Sequence, residues 1–89
     1  MLFRSPVVAL NRTVAVAMAE GPERGLAELA PIEQAGELDT YPYLQAVKAD
    51  LLRRAGRPRE AATCYERAIG LTRNAAERSY LQRRLDECG

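Results

Sequence analysis

Apolar side chains recur along the chain at the spacing of helix faces. Leu10, Val14, Ala17 and Met18 fall at positions i, i+4, i+7 and i+8, which place them along one side of a helix. The β-branched residues of this segment also suit a strand, but fifteen residues pass without a turn signal, so a helix is favoured. Similar stripes follow in the rest of the chain, and no segment shows a convincing strand pattern.

Start and stop signals divide these stripes into separate helices. Proline opens four of them, because its missing N–H and fixed φ suit the first helical position. Pro31 lacks the N–H that a helix interior needs, so the second helix is predicted to end or kink at Ala30. Asn74 as N-cap with Glu77 three residues later resembles a capping box. The predicted helices cover residues 6–20, 22–30, 42–55, 58–72 and 75–87.

The glycines of the first helix pair indicate a compact corner. Gly21 ends the first helix directly before Pro22, which leaves almost no connection between the two helices. Gly25 costs its helix about 1 kcal/mol relative to alanine, which suggests that another backbone approaches closely there. The segment from Gly36 to Tyr41 is predicted to connect the two helix pairs.

The second helix pair repeats the first at an offset of 34 to 36 residues. This period, with helix, turn and helix in each unit, is typical of tetratricopeptide-type repeats. In the second pair, Gly56 occupies the turn and small residues allow close helix packing around an aromatic side chain. The aligned pairs are Leu10 with Leu44, Ala15 with Ala49, Met18 with Leu52, Gly25 with Ala61 and Leu29 with Tyr65. The predicted repeat positions are Ala49, Leu52, Gly56, Ala61, Tyr65 and Ala68.

These patterns predict an all-α fold in which antiparallel helix pairs stack as a right-handed tetratricopeptide-like array. An ordinary antiparallel helical bundle is the alternative, since its hairpins also use glycine and proline corners. Residues 1–89 are predicted to form one domain. It comprises a first helix pair with its connection over 6–38, a second pair over 42–72 and a capping helix over 74–88.

Length and composition limit what this domain does alone. A chain of 89 residues buries only about 60 to 65% of its unfolded surface, so a partner or a parent chain is expected. Apolar residues form 47% and charged residues 28%, which argues against disorder. The longest apolar run, from Val14 to Ala19, is too short to span a bilayer, and we expect a cytoplasmic protein.

Charge and chemistry-bearing residues favour a scaffold over an enzyme. The chain has no His, so Cys64 and Cys88 form no zinc-binding pattern and are expected to be structural thiols. Carboxylates such as Glu33 and Glu37 have no evident catalytic partner. Residues 41–89 carry ten Lys or Arg against six acids, a basic excess best explained as a solvated helix surface. We expect no catalytic, cofactor-binding or metal-binding residue.

Two long segments resemble the C-terminal helical extension of extracytoplasmic-function (ECF) sigma factors. They read "SPVVALNRTVAVAMAEGPERGL" and "LQAVKADLLRRAGRPREAATCYERAIGLTRNAAERSYLQRRLDE", so the likeness runs from about Ser5 to Glu87. The resemblance implies a tetratricopeptide-like regulatory module of transcription initiation, with the sigma-factor core or RNA polymerase as partner. The family's DNA-reading regions would lie upstream, so no direct DNA contact is expected. The alternatives are a stand-alone adaptor and a homo-oligomeric scaffold.

Stacked helix pairs expose a groove lined by the first helix of each pair, where a peptide or helix can lie. The predicted interaction residues on these helices are Asn11, Arg12, Asp50, Arg53 and Arg54. The resemblance adds the acidic corner of Glu20, Gly21 and Pro22. Two of the residues have plainer explanations: the amide of Asn11 can bond within the fold, and Asp50 can pair with Arg54 four residues later.

Overall fold

The computed structural model describes residues 5–89, which form five α-helices and no strand. The helices are α1 (Pro6–Glu20), α2 (Pro22–Ala35), α3 (Pro42–Arg54), α4 (Pro58–Leu71) and α5 (Ala75–Cys88). Each helix packs against the next one along the chain, and α1 also touches α3. The predicted all-α fold of successive helix pairs is therefore confirmed. Four of the five helices begin and end within one residue of the predicted bounds.

The predicted end of the second helix was wrong, because α2 continues through Pro31 to Ala35. Pro31 leaves the carbonyl of Ala27 without its helical donor. Both residues are exposed, so water can reach that carbonyl and the penalty is small. Two tertiary contacts stabilise the additional turn. Ile32 packs against the core, and Glu33 Oε2 accepts a hydrogen bond from Lys48 Nζ of α3 at 2.9 Å, which is also an ion pair.

Two hydrophobic clusters share helix α3. The first lies among α1, α2 and α3 and consists of Leu10, Ala17, Leu29, Leu38, Leu44, Val47 and Leu51. The second lies among α3, α4 and α5 and consists of Ala49, Leu52, Ala61, Cys64, Tyr65, Ala68 and Leu81. All the predicted repeat positions except the turn residue Gly56 therefore belong to the second cluster. Helix α3 is buried on two faces, whereas α1 is buried on one.

Glycine serves two different purposes at the helix junctions. Gly56 has a φ of 81°, and the amide N–H groups of Gly56 and Arg57 bond to the carbonyls of Arg53 and Leu52. This pattern is a Schellman motif, and it satisfies the last carbonyls of α3. Gly25, by contrast, lies where a Cβ atom would be 2.6 Å from the Cβ of Ala17. The close approach predicted at Gly25 is therefore present between α1 and α2.

The two helix pairs differ in the face that their first helix buries. Ala49 and Leu52 of α3 pack against α4, whereas their predicted counterparts Ala15 and Met18 are exposed, Met18 by 75%. The single-residue connection at Gly21 brings α2 onto the Ala17 side of α1. The equivalence of Ala15 with Ala49 and of Met18 with Leu52 therefore holds in sequence offset but not in packing.

The start of α5 is capped through a third side chain. The amide N–H of Glu77 donates to Asn74 Oδ1 at 2.9 Å, as the capping-box pattern predicts. The return contact differs, because the hydroxyl of Thr72 donates to Glu77 Oε1 at 2.9 Å and accepts from the Asn74 amide at 3.2 Å. Thr72 is buried, so this arrangement fixes the junction between α4 and α5.

We predict that Gly25→Ala destabilises the fold by about 1–2 kcal/mol, although alanine is the better helix former. The new methyl group would meet the Ala17 Cβ, which cannot rotate away, and overpacking of this kind typically costs about 1–3 kcal/mol. Gly70→Ala is the matched control, because no atom lies within 4 Å of the site and a gain of about 0.5 kcal/mol is expected. Urea denaturation measures both changes; a stabilised Gly25→Ala protein would contradict the prediction.

Gln45 carries the one buried side-chain oxygen or nitrogen, among residues 5–89, that has no hydrogen-bond partner. The residue is 8% exposed, and an unsatisfied buried acceptor costs about 1–3 kcal/mol. We therefore predict that Gln45→Met, which keeps the shape and removes the orphan oxygen, raises the free energy of unfolding by about 1 kcal/mol. Gln82→Met, at an exposed site of α5, should leave it unchanged. A loss of stability in Gln45→Met would contradict this prediction.

Candidate functional site

Helices α1, α3 and α5 together line a cavity of about 350 Å³. Helices α1 and α3 are the first helices of the two pairs and α5 is the capping helix, so the cavity overlaps the predicted groove at α1 and α3. Its most buried lining residues are apolar and come from all three helices: Ala17, Val47, Leu51 and Leu81. Val14 of α1 is half-buried beside them. The cavity therefore has an apolar floor to which each of the three helices contributes.

Two tyrosine rings stand at the exposed rim of this groove. Tyr43 of α3 is 40% exposed and Tyr80 of α5 is 37% exposed. Tyr43 makes an edge-on contact with Tyr41, with ring centroids 6.1 Å apart. The guanidinium of Arg84 lies 5.3 Å from the Tyr80 ring centroid, and its Nε donates to the Tyr80 hydroxyl at 3.3 Å. Both rings are thus held by neighbours, which lowers the entropy cost of using them as contacts.

Asp50 faces the groove but is tied to the core. Its Oδ1 accepts a hydrogen bond from the hydroxyl of Tyr65, a fully buried residue of α4. Arg53 Nε donates to the same hydroxyl at 3.2 Å, and its Nη2 lies 3.9 Å from Asp50 Oδ1. Burial, together with the bond to Asp50, raises the pKa of Tyr65 far above its usual value, and the bond to Tyr65 raises that of Arg53. Asp50 and Arg53 therefore link α3 to α4.

Arg54 is the charged groove residue that has no partner among residues 5–89. It is exposed at the last position of α3, and no ion pair or side-chain hydrogen bond joins it to any residue within 5–89. The possible pair between Asp50 and Arg54 does not form, because the Asp50 carboxylate contacts Tyr65 and Arg53 instead. Glu77 is the third charged lining residue, and its carboxylate already accepts the bond from Thr72.

The other predicted interaction residues lie outside the groove. Asn11 and Arg12 are exposed on α1 and do not line the cavity, and neither makes a side-chain hydrogen bond with the residues that the structure describes. Glu20, Gly21 and Pro22 form the corner between α1 and α2, where Gly21 has a φ of 99°. The structure thus brings Asp50 and Arg54 together at the groove and leaves the corner apart from it.

Sequence reasoning missed most of the lining. Tyr43, Val47, Asp50 and Arg54 are spaced by four, three and four residues, so they share one side of α3. Tyr80 and Leu81 lie three and four residues after Glu77 on α5, which is the same signal. These side chains could have been grouped from spacing alone. Their use as groove walls depends on which faces α1 and α4 cover, and that follows only from packing.

Within residues 5–89, no group of three or more Cys, Asp or Glu side chains is arranged to hold a metal ion. Cys64 and Cys88 are both free thiols, and burial raises the pKa of each. This makes Cys64, which lies in the second hydrophobic cluster, a poor nucleophile at neutral pH.

Two further observations concern membranes and relatives. None of the described helices is long and apolar enough to cross a bilayer. The chain is 45% identical over 82 residues to a protein of Rhizobium meliloti (strain 1021) that is named only as uncharacterized. The match covers 92% of this chain but 19% of that relative, so the chain spans about a fifth of the relative's length. No family model matches the chain, and no solved structure is significantly similar to it.

We predict that the buried Tyr65 hydroxyl lowers the stability of the fold at alkaline pH. The pKa of Tyr65 is raised in the fold above its unfolded value of about 10, so its contribution is complete below pH 10 and is lost as the pH rises further. Tyr65→Phe should cost about 1–2 kcal/mol at pH 7, because the bond to the Asp50 carboxylate is lost. The free energy of unfolding of Tyr65→Phe should also decline less above pH 10 than that of the wild type.

Urea denaturation at pH 7, 9, 10 and 11 measures this difference between the wild type and Tyr65→Phe. Tyr43→Phe is the control, because its ring stands at the exposed rim of the groove. It should keep the wild-type stability at pH 7. Parallel curves for the wild type and Tyr65→Phe above pH 10 would contradict the predicted role of the hydroxyl.

Proposed function

We propose that this chain is a non-enzymatic protein-interaction module that binds a segment of a partner protein in the groove between α1, α3 and α5. The observation that carries the proposal is the groove itself, with its apolar floor and its two fixed tyrosine rings at the rim. An apolar pocket bordered by aromatic side chains is the usual composition of a peptide-binding surface. Two of its three charged lining residues, Asp50 and Glu77, accept hydrogen bonds from the buried residues Tyr65 and Thr72, which suits a scaffold better than a catalyst.

The larger setting that we propose is a cytoplasmic bacterial transcription factor of the ECF sigma type. The resemblance of Ser5 to Glu87 to the helical extension of that family supports it. The match to a relative about five times longer supports the view that such a domain works as part of a larger protein. In that setting the partner is the sigma-factor core or RNA polymerase, and this domain regulates initiation without reading DNA itself.

Two binding experiments test the two levels of this proposal separately. The first mixes the 89-residue protein with the part of the Rhizobium meliloti relative that lies outside the match, and measures binding by calorimetry. Tyr43→Ala should weaken this binding about tenfold, because it removes an aromatic wall of the groove. Arg59→Ala should not, since Arg59 is exposed on α4 and outside the groove. Binding that is absent, or equal in all three proteins, would contradict the interaction module in this setting.

The second experiment tests the transcription setting. The full-length relative is passed with purified core RNA polymerase through a sizing column, and a sigma-type protein is expected to co-elute. Separate elution would sink the sigma-factor assignment but would leave groove binding untouched.

A self-associating scaffold is the second candidate, and one observation favours it. Val8 and Met18, on the outward side of α1, are 53% and 75% exposed. A second copy could cover them through the same face, as two-fold dimers do. Sedimentation equilibrium over a hundredfold concentration range tests this candidate. A dimer that dissociates on Met18→Lys substitution would support it, and a monomer at every concentration would exclude it.

A further inference from the structure

The charges of the groove are unequal in how far the fold neutralises them. Asp50 bonds to Tyr65 and lies beside Arg53, so its charge is balanced within the domain. Glu77 bonds to Thr72 and occupies the first turn of α5, where the helix N-terminus favours a negative charge. Arg54 has only the weak influence of the C-terminal end of α3 and no carboxylate partner within residues 5–89. A ligand of the groove would therefore meet one uncompensated cation.

We propose that the groove recognises a short segment of a protein that pairs a carboxylate side chain, Asp or Glu, with a nearby apolar side chain. The carboxylate binds Arg54, and the apolar side chain enters the floor beside Val47 and Leu81. The inference rests on the proposed groove function and specifies its ligand. Arg suits this role because its planar guanidinium binds a carboxylate through two parallel hydrogen bonds.

The dimensions of the groove set the spacing of this motif. Val47 and Arg54 are seven residues apart on α3, which corresponds to about 10 Å along the helix axis. A peptide in the extended polyproline II conformation has three residues per turn and advances about 3.1 Å per residue, so side chains three residues apart lie on the same face about 9 Å apart. The apolar side chain and the carboxylate should therefore lie about three residues apart. A volume of about 350 Å³ is near the small end of ligand pockets, which run from about 300 to 1,000 Å³. It therefore holds one or two side chains of an extended segment.

The same charges disfavour the other anions that an arginine can bind. Arg54 is the one cation among the described residues that line the groove, which also include the carboxylates of Asp50 and Glu77. A dianionic phosphate group or a nucleic acid strand normally needs several cations for its binding. A single carboxylate brings one negative charge, which the guanidinium of Arg54 alone can balance. The site is thus built for a weakly acidic protein segment and not for a polyanion.

Selection from a random twelve-residue peptide library displayed on phage tests this ligand class with the 89-residue protein as bait. Wild-type protein should enrich peptides with Asp or Glu about three residues from Leu, Ile, Phe or Tyr. Arg54→Glu should lose that acidic preference and favour Lys or Arg instead. Arg59→Glu is the matched control, because it makes the same charge change at an exposed site outside the groove, and it should retain the wild-type motif.

Calorimetry with a synthetic peptide of the enriched sequence then gives the size of the effect. Arg54→Glu should weaken binding at least tenfold, as should Arg54→Gln, which removes the charge without reversing it. Circular dichroism should show unchanged helix content in both variants, since Arg54 is exposed.

The outcomes separate this inference from the proposed function. If the selection enriches apolar peptides without a carboxylate, and Tyr43→Ala weakens their binding, the acidic motif is overturned but the groove function is supported. Enrichment of basic peptides, or of peptides with several consecutive Asp or Glu residues, would also overturn the proposed motif. If no enriched peptide depends on either Tyr43 or Arg54, both the motif and the groove function fail.

Discussion

Helix α3 packs into both hydrophobic clusters and also lines the groove, and the rest of the domain is arranged about it. Leu44, Val47 and Leu51 face the first hydrophobic cluster, while Ala49 and Leu52 face the second. A helix buried on two faces loses most of the surface on which polar groups can be solvated. Its remaining side lies along the groove, so the one open face of the central helix is also the candidate binding surface.

This arrangement couples the binding surface to the core. Asp50 lines the groove, yet its carboxylate accepts the hydrogen bond of the buried Tyr65. A ligand that competed for Asp50 would leave the Tyr65 hydroxyl without an acceptor inside the second cluster, which is costly. Ligand binding at Asp50 is therefore disfavoured, whereas Arg54 one turn later carries no such constraint. Of the residues singled out on α3, the same geometry makes Asp50 and Arg53 structural and leaves Arg54 available.

Local signals allowed much of the fold to be predicted from the sequence. Proline at the first helical position marks the start of a helix, and Gly56 with its positive φ marks the end of α3. Both act through backbone geometry, so they do not depend on the surrounding structure. Pro31 misled because its cost depends on whether water can reach the Ala27 carbonyl, and that is a property of the packed structure. The actual partner of Asp50 was not predicted for a similar reason, since Tyr65 lies fifteen residues away and is brought near only by the hairpin. Contacts of this range are set by tertiary packing, not by sequence spacing.

The unequal connections of the two helix pairs explain why α1 adds no charged side chain to the groove. The three residues between α3 and α4 allow α4 to pack on the Ala49 side of α3, which leaves Asp50 and Arg54 beside the groove. At the first corner Gly21 is the whole connection, and α2 is drawn against Ala17. Helix α1 therefore offers the groove only Val14 and Ala17, while its polar side chains Asn11 and Arg12 point elsewhere. Because α1 adds no charge, the charged lining residues of the groove come from α3 and α5 alone.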